Sequence, residues 1–262
     1  PYGLVDEVLL ANVFPKGHPY SWSVIGSMKD LDAASLDDLK AFFNEFYQPA
    51  NATLCLVGDF DPAQAKALIA RYFEPLAAGP QIAPVAAKLV APQAAKVELI
   101  DEVQLPRIHW SWPSVADDHP DSPALDMLAT VLAGGETSRL YKTLVRDLRL
   151  AKDVAASNDT KEISGLFTLQ STAAEGKSTE DIEAVFQKEI ARIKAEAPSP
   201  GEVERVLARL ETSLYSGLTR GLSRAIAISQ GFAQKNDPEY YRKEFARYFQ
   251  VTPADIQRVA QK

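Results

Sequence analysis

Asp32–Phe60 reads DAASLDDLKAFFNEFYQPANATLCLVGDF, and its two halves follow different periods. Leu36, Leu39, Phe42, Phe43 and Phe46 recur at three- and four-residue spacing behind Ser35, a good N-cap, and predict an amphipathic helix. Asn51–Phe60 (NATLCLVGDF) is short, apolar and closed by Gly58-Asp59, and predicts a buried strand. Asp61-Pro62 then opens a second helix, because proline suits the first helical turn. Its apolar face is Ala65, Leu68, Ile69, Tyr72 and Phe73. Helix, strand and helix in close succession point to an α+β fold.

The first part of this stretch has an echo. Gln250–Lys262 (QVTPADIQRVAQK) shares with Asp32–Glu45 a capping residue, an acidic first turn and a similar apolar pattern. A strand is expected after the first copy, whereas the sequence stops after the second. Two copies of one α+β unit, the second clipped before its last strand, explain the likeness. Capped helix starts are common enough to explain it as well. The chain begins at Pro1, not at a methionine, and both ends read as cuts.

Outward from these anchors the pattern changes at Glu74. Pro75, Pro80, Pro84 and Pro92 punctuate an alanine-rich stretch without period or caps, so residues 74–93 read as a linker stiffened by proline. It divides residues 1–73 from residues 94–262. Beyond it, Ala95–Val103 and Pro106–Pro113 read as strands. In the second of these Ile108, Trp110 and Trp112 share one face, and Arg107, His109 and Ser111 the other. A helix from about Pro123, the Gly134-Gly135 turn and a helix over Thr137–Leu148 follow. Ala151–Asn158 and Ser164–Ala173 read as strands. Four helices come next, over 182–193, 203–218, 222–234 and 238–249, the second of them announced by the capping box Ser199-Pro200-Gly201-Glu202.

Composition excludes several function classes. Hydrophobic residues are 46% and charged residues 24%, which fits a folded chain and argues against disorder. The net charge of −7 disfavours nucleic acid or an anionic membrane as partner, since both need a concentrated basic surface. No apolar run approaches the roughly 20 residues of a membrane span. Cys55 is the only cysteine and reads as a small buried hydrophobe.

The three histidines, His18, His109 and His119, show no pair at helical spacing. The His-x-x-Glu-His zinc arrangement, the Gly-x-Ser-x-Gly elbow, the phosphate loop and Gly-x-Gly-x-x-Gly are all absent from the sequence. His18 reads as part of a structural turn, because Pro19 fixes the backbone and Tyr20 can anchor the loop. Gly134-Gly135 reads as a connector between helices.

A longer pattern says more than these motifs. Phe14-Pro15-Lys16-Gly17-His18-Pro19-Tyr20, Ile25-Gly26, Leu36–Phe43, Phe46–Ala52 and Val57–Asp61 resemble, in order, the pitrilysin (insulinase) family of zinc metallopeptidases. Downstream, His119-Pro120-Asp121, Leu132-Ala133-Gly134-Gly135-Glu136-Thr137-Ser138-Arg139-Leu140-Tyr141 and Leu144-Val145-Arg146 are similar to that family's second homologous domain. The resemblance spans essentially the whole chain.

It implies two homologous pitrilysin-like α/β-sandwich units, the first truncated at its N-terminus and the second at its C-terminus. Residues 1–73 would be the trailing half of the catalytic-type domain, and 94–262 a second, metal-free domain. The parent would be a zinc-dependent endopeptidase acting on peptides, with a related subunit as homo- or heterodimer partner. Zinc would activate a bound water there. The family's zinc ligands precede the segment that starts at Pro1, so this chain is expected to hold no metal and to be inactive by itself. The family also holds substrate with an arginine and a tyrosine. Arg146 matches the arginine, but Lys152 stands where the tyrosine is expected, with one residue fewer between. Both are candidate substrate-binding residues. A structural subunit of the same fold, as in processing peptidases or respiratory complexes, is the alternative, and the bacterial periplasm is favoured slightly over the cytoplasm.

Overall fold

A computed structural model describes residues 2–87 and 94–262. In chain order the elements are α1 (Val5–Val13), α2 (Met28–Ala33), α3 (Leu36–Phe46), α4 (Pro62–Phe73), β1 (Arg107–Ser114), α5 (Ser122–Ala133), a π-helix (Tyr141–Asp147), β2 (Ala151–Thr160), β3 (Gly165–Ala173), α6 (Thr179–Ala195), α7 (Pro200–Leu218), α8 (Gly221–Lys235), α9 (Tyr240–Tyr248) and α10 (Pro253–Gln261). The fold is α+β, as the sequence predicts. Two compact units form. The first takes Pro1–Val24, Ala86–Arg209 and Arg247–Lys262, and the second takes Ile25–Val85 and Leu210–Ala246.

The first unit is built on an antiparallel sheet in the order β1-β3-β2. Trp110 lies opposite Leu169 and Trp112 opposite Phe167. Alternation puts Trp110 and Trp112 on one face, where Trp110 meets Phe186 of α6 edge-on at 5.7 Å. The core beneath is closed to solvent. Met127, Leu132, Leu144, Leu169, Ile182, Phe186, Ile193 and Ile256 have essentially no exposed surface. The other face is polar and closed by cross-strand bonds: Arg107 Nε donates to Thr172 Oγ1 at 2.8 Å, and the Ser111 and Thr168 hydroxyls lie 3.2 Å apart.

α10 is fixed at both ends. Thr252 and Asp255 form a capping box, and Arg258 and Lys262 both reach Asp121, at 2.8 and 2.7 Å. These two cations hold the Asp121 carboxyl down to about 2 against its burial.

In the second unit α3 starts with a capping box of Ser35 and Asp38, and Asp61 caps α4 by accepting from the Ala63 and Gln64 amides. Among its described residues only Gly231 is buried. Gly231 must be bare, since a Cβ there would stand 2.6 Å from the Asp237 carbonyl.

Two predicted strands do not form. Residues 52–60 adopt neither helix nor strand, and Leu54 and Leu56 are about half exposed. Residues 94–106 likewise carry no strand, and Ile100 is open to solvent. An apolar run sets which side chains point where, but a ladder needs a neighbour to receive its hydrogen bonds, and neither run has one among the described residues. The helix expected over Thr137–Leu148 is a π-helix for most of its length, with the Leu148 amide donating to the Thr143 carbonyl. α1 and α2 lacked a readable period. Of the linker read over 74–93, residues 88–93 lie outside the described residues.

Candidate substrate-contact site

The sequence nominates Arg146 and Lys152. Arg146 projects from the π-helix into solvent, and its guanidinium forks onto the neighbouring Asp147: Nε to Oδ1 at 2.7 Å and Nη2 to Oδ2 at 3.2 Å. That carboxylate raises the Arg146 pKa, and the arginine lowers that of Asp147. Lys152 is exposed on the edge strand β2, at a bulge where the register against β3 slips between Ala151 and Asp153. The link between them is short and constrained. Arg149 adopts a left-handed backbone at φ 52°, and the Leu150 amide donates back to the Leu144 carbonyl. No hydrogen bond or ion pair joins Arg146 to Lys152 among the described residues. The π-helix is the feature the sequence concealed, because seven residues are too few to tell its period from that of an α-helix.

The histidines take three separate roles. His18 is buried, stacked on Phe14 at 5.0 Å and edge-on to Tyr20, and its Nδ1 accepts the Tyr20 amide at 3.1 Å. The Tyr20 hydroxyl accepts the Ile163 amide at 3.2 Å, so the turn is pinned from both sides. His119 Nδ1 accepts the Asp121 amide at the start of α5. His109, on β1, has both ring nitrogens buried without a partner. Burial lowers its pKa, as does Arg107, while Asp6 and Asp153 pull the other way. No group of three or more His, Cys, Asp or Glu side chains able to hold a metal occurs among the described residues.

A charged clamp that local pattern could not reveal sits nearby. Arg139 Nε and Nη2 grip both oxygens of Glu202 at 2.7 and 3.0 Å, and Nη1 reaches Glu189 at 3.2 Å. The Ser199 amide and hydroxyl also donate to Glu202, closing the predicted capping box of α7. Arg139 above all holds the Glu202 carboxyl down to about 2, despite partial burial. The clamp ties the π-helix approach to α6 and α7. Arg139 and Glu202 are 63 residues apart in sequence, so no spacing rule pairs them.

Residues 33–210 match the family described as the Peptidase M16 inactive domain. The chain belongs to that family. The resemblance read from the sequence therefore holds, and it extends to named zinc proteases. The M16 chain is 28% identical over 251 residues to the zinc protease PqqE of Helicobacter pylori, covering 93% of itself and 55% of that protein. It is 24% identical over 248 residues to an uncharacterized zinc protease of Streptomyces coelicolor, covering 90% of itself and 53% of the relative. It thus spans about half the length of these curated relatives. In fold it is similar to a Helicobacter pylori protease, with TM-score 0.87 at 24% identity over 99% of this chain and 63% of that one. A Pseudomonas fluorescens M16 inactive domain superposes with TM-score 0.85 at 20% identity, over 98% and 61%. A chain of complex III from Candida albicans reaches 0.81 at 14% identity, over 98% and 62%.

Proposed function

We propose that the M16 chain is the non-catalytic part of a zinc-dependent endopeptidase, serving to enclose peptide substrate and support the catalytic portion. The observation that carries this reading is the match of residues 33–210 to the inactive domain of a family whose named relatives are zinc proteases. On this reading residues 1–73 are the trailing half of a catalytic-type domain, residues 74–93 a linker, and residues 94–262 the metal-free domain. The paired capping boxes, Ser35 with Asp38 and Thr252 with Asp255, support two homologous units. Zinc belongs to the parent protein, where it would lower the pKa of a bound water. Arg146 and Lys152 contact the peptide, which joins a sheet edge as an added strand. A related subunit completes the assembly as a homo- or heterodimer.

Mixing this chain with zinc and a fluorogenic peptide tests the assignment. The expected result is no chelator-sensitive turnover, and turnover abolished by a chelator refutes it. A second reading has its own support. The same fold occurs in a complex III chain, so an inactive structural subunit fits the architecture too. The two part on the gene upstream of Pro1: an intact His-x-x-Glu-His favours the peptidase, and a degraded one the scaffold.

A further inference from the structure

α5 ends at Gly134-Gly135, where space is tight. A Cβ on Gly134 would stand 2.4 Å from Thr130, and one on Gly135, whose φ is +99°, would meet Arg209 Nη1 at 2.7 Å. A bare backbone lets the Arg209 guanidinium lie here, where it donates to the Gly134 carbonyl. Beside it opens a hollow of about 240 Å³, lined in part by Thr130, Thr137, Ser138, Glu202, Arg205 and Arg209. Arg205 and Arg209 are four residues apart on α7, so they share one face of the helix.

The charges in this hollow do not cancel. Glu202 is taken up by Arg139 and Ser199. Arg205 makes no hydrogen bond or ion pair among the described residues, and Arg209 gives one N–H to a neutral carbonyl. Arg146, Arg192, Arg242 and Arg258 each have a carboxylate within 4.0 Å, whereas Arg224, like Arg209, bonds only a backbone carbonyl; Arg205 and Arg209 stand out because the two line one hollow. Two guanidinium groups without a counter-ion, in a hollow that Thr137 also lines, form a recess suited to a planar anion. Arginine forks match carboxylate geometry, and Arg205, Arg209 and Thr137 are all exposed and so open to a ligand.

We propose that this hollow binds a carboxylate, held by Arg205 and Arg209 with Thr137 as a further donor. The carboxylate comes from a peptide, either its C-terminus or an acidic side chain. This goes beyond the function proposed above and needs neither a zinc site nor a peptidase parent.

Titrating the isotope-labelled chain by NMR at low salt decides it. The probes are N-acetyl-tetraalanine with a free C-terminus, the same peptide amidated, and amidated N-acetyl-Ala-Glu-Ala-Ala. Saturable shifts of the Gly134, Gly135 and Thr137 amides are expected with the free carboxylate and not with the neutral amide. A response to the glutamate peptide alone assigns the anion to a side chain and equally supports the site. Arg205→Gln and Arg209→Gln should each weaken binding about tenfold, whereas Arg242→Gln, at an exposed arginine already paired with Glu239, should leave it unchanged. Circular dichroism confirms that the variants fold. No saturable shift from either acidic peptide, equal shifts from the neutral amide, or affinity unaltered in Arg205→Gln overturns the proposal.

Discussion

The two compact units both carry amphipathic helices, and they bury them very differently. In the first, helices and sheet bury large side chains completely, Phe186 and Met127 among them. In the second, α3 carries a clear apolar stripe, yet Leu36, Leu39, Phe42 and Phe43 all remain on the surface, Leu36 at 65% exposure. Its rings pack on one another instead: Phe42 meets Phe46 at 4.8 Å and Phe43 meets Tyr47 at 4.3 Å. The stripe states which face should be covered. Whether it is covered depends on what the fold brings to it, and hydrophobic stabilisation scales with the area removed from water. Sequence amphipathicity is therefore a demand, not an outcome.

The sharpest way to break this comparison is to cut the same kind of atom from both units. Phe186→Ala removes a fully buried ring and should cost about 3–5 kcal/mol, because a cavity remains. Leu39→Ala trims an exposed side chain and should stay within about 0.5 kcal/mol. Urea unfolding followed by circular dichroism reads both. In hydrogen exchange, amides of α3 and α4 should exchange well before those of α5 and β3. Comparable losses for the two substitutions would show that the second unit has a core of its own.

What the sequence disclosed follows the same line. The helices behind Ser35, Asp61, Ser199 and Thr252 were legible because cap and period are local, and all four caps accept backbone hydrogen bonds. The strand over Arg107–Ser114 was legible from alternation, and its faces fall as expected. The runs at 51–60 and 95–103 were misread because a strand exists only with its neighbour. Of the candidate site, Arg146 and Lys152 are nominated by likeness to a family and by nothing local in the sequence. The Arg139–Glu202–Glu189 clamp was invisible, since Arg139 meets the two glutamates only through tertiary packing, and the Arg205–Arg209 pair, though local to α7, gave no sign of the hollow it lines.

The clamp gives the next largest effect. Glu202→Ala leaves the mostly buried Arg139 with Glu189 alone and should cost about 2–3 kcal/mol, as for a lost charged hydrogen bond. Acid should act on the same unit. The folded pKa values of Glu202 and Asp121 are depressed to about 2 from ordinary values of 4.5 and 3.8. Their contribution is complete above those ordinary values and is lost as pH falls toward about 2. The urea midpoint should therefore decline over that window, and less steeply in Glu202→Ala.

A smaller acid effect lies nearer neutrality. His109 is held neutral, first by burial and then by Arg107, with Asp6 and Asp153 opposing. Its folded pKa lies below 6.5, so the stability tied to the neutral ring is present above 6.5 and shrinks as pH falls through the folded value. His109→Leu should flatten the urea midpoint between neutrality and mild acid. An unchanged slope would place another titrating group in charge of that range.

Arg146→Ala should move stability least of all, and that is why it is informative. The side chain stands in solvent, and its one ion pair is with an equally exposed neighbour, Asp147, whose attraction water and salt largely screen. The urea midpoint should not shift. If Arg146 contacts peptide in the parent peptidase, the same substitution raises KM there while the midpoint stays put. A midpoint that falls while KM rises instead makes Arg146 a support of the π-helix. The surface of the first unit would then hold its own fold together much as the core does, and the contrast with the second unit would extend to the side chains that face water.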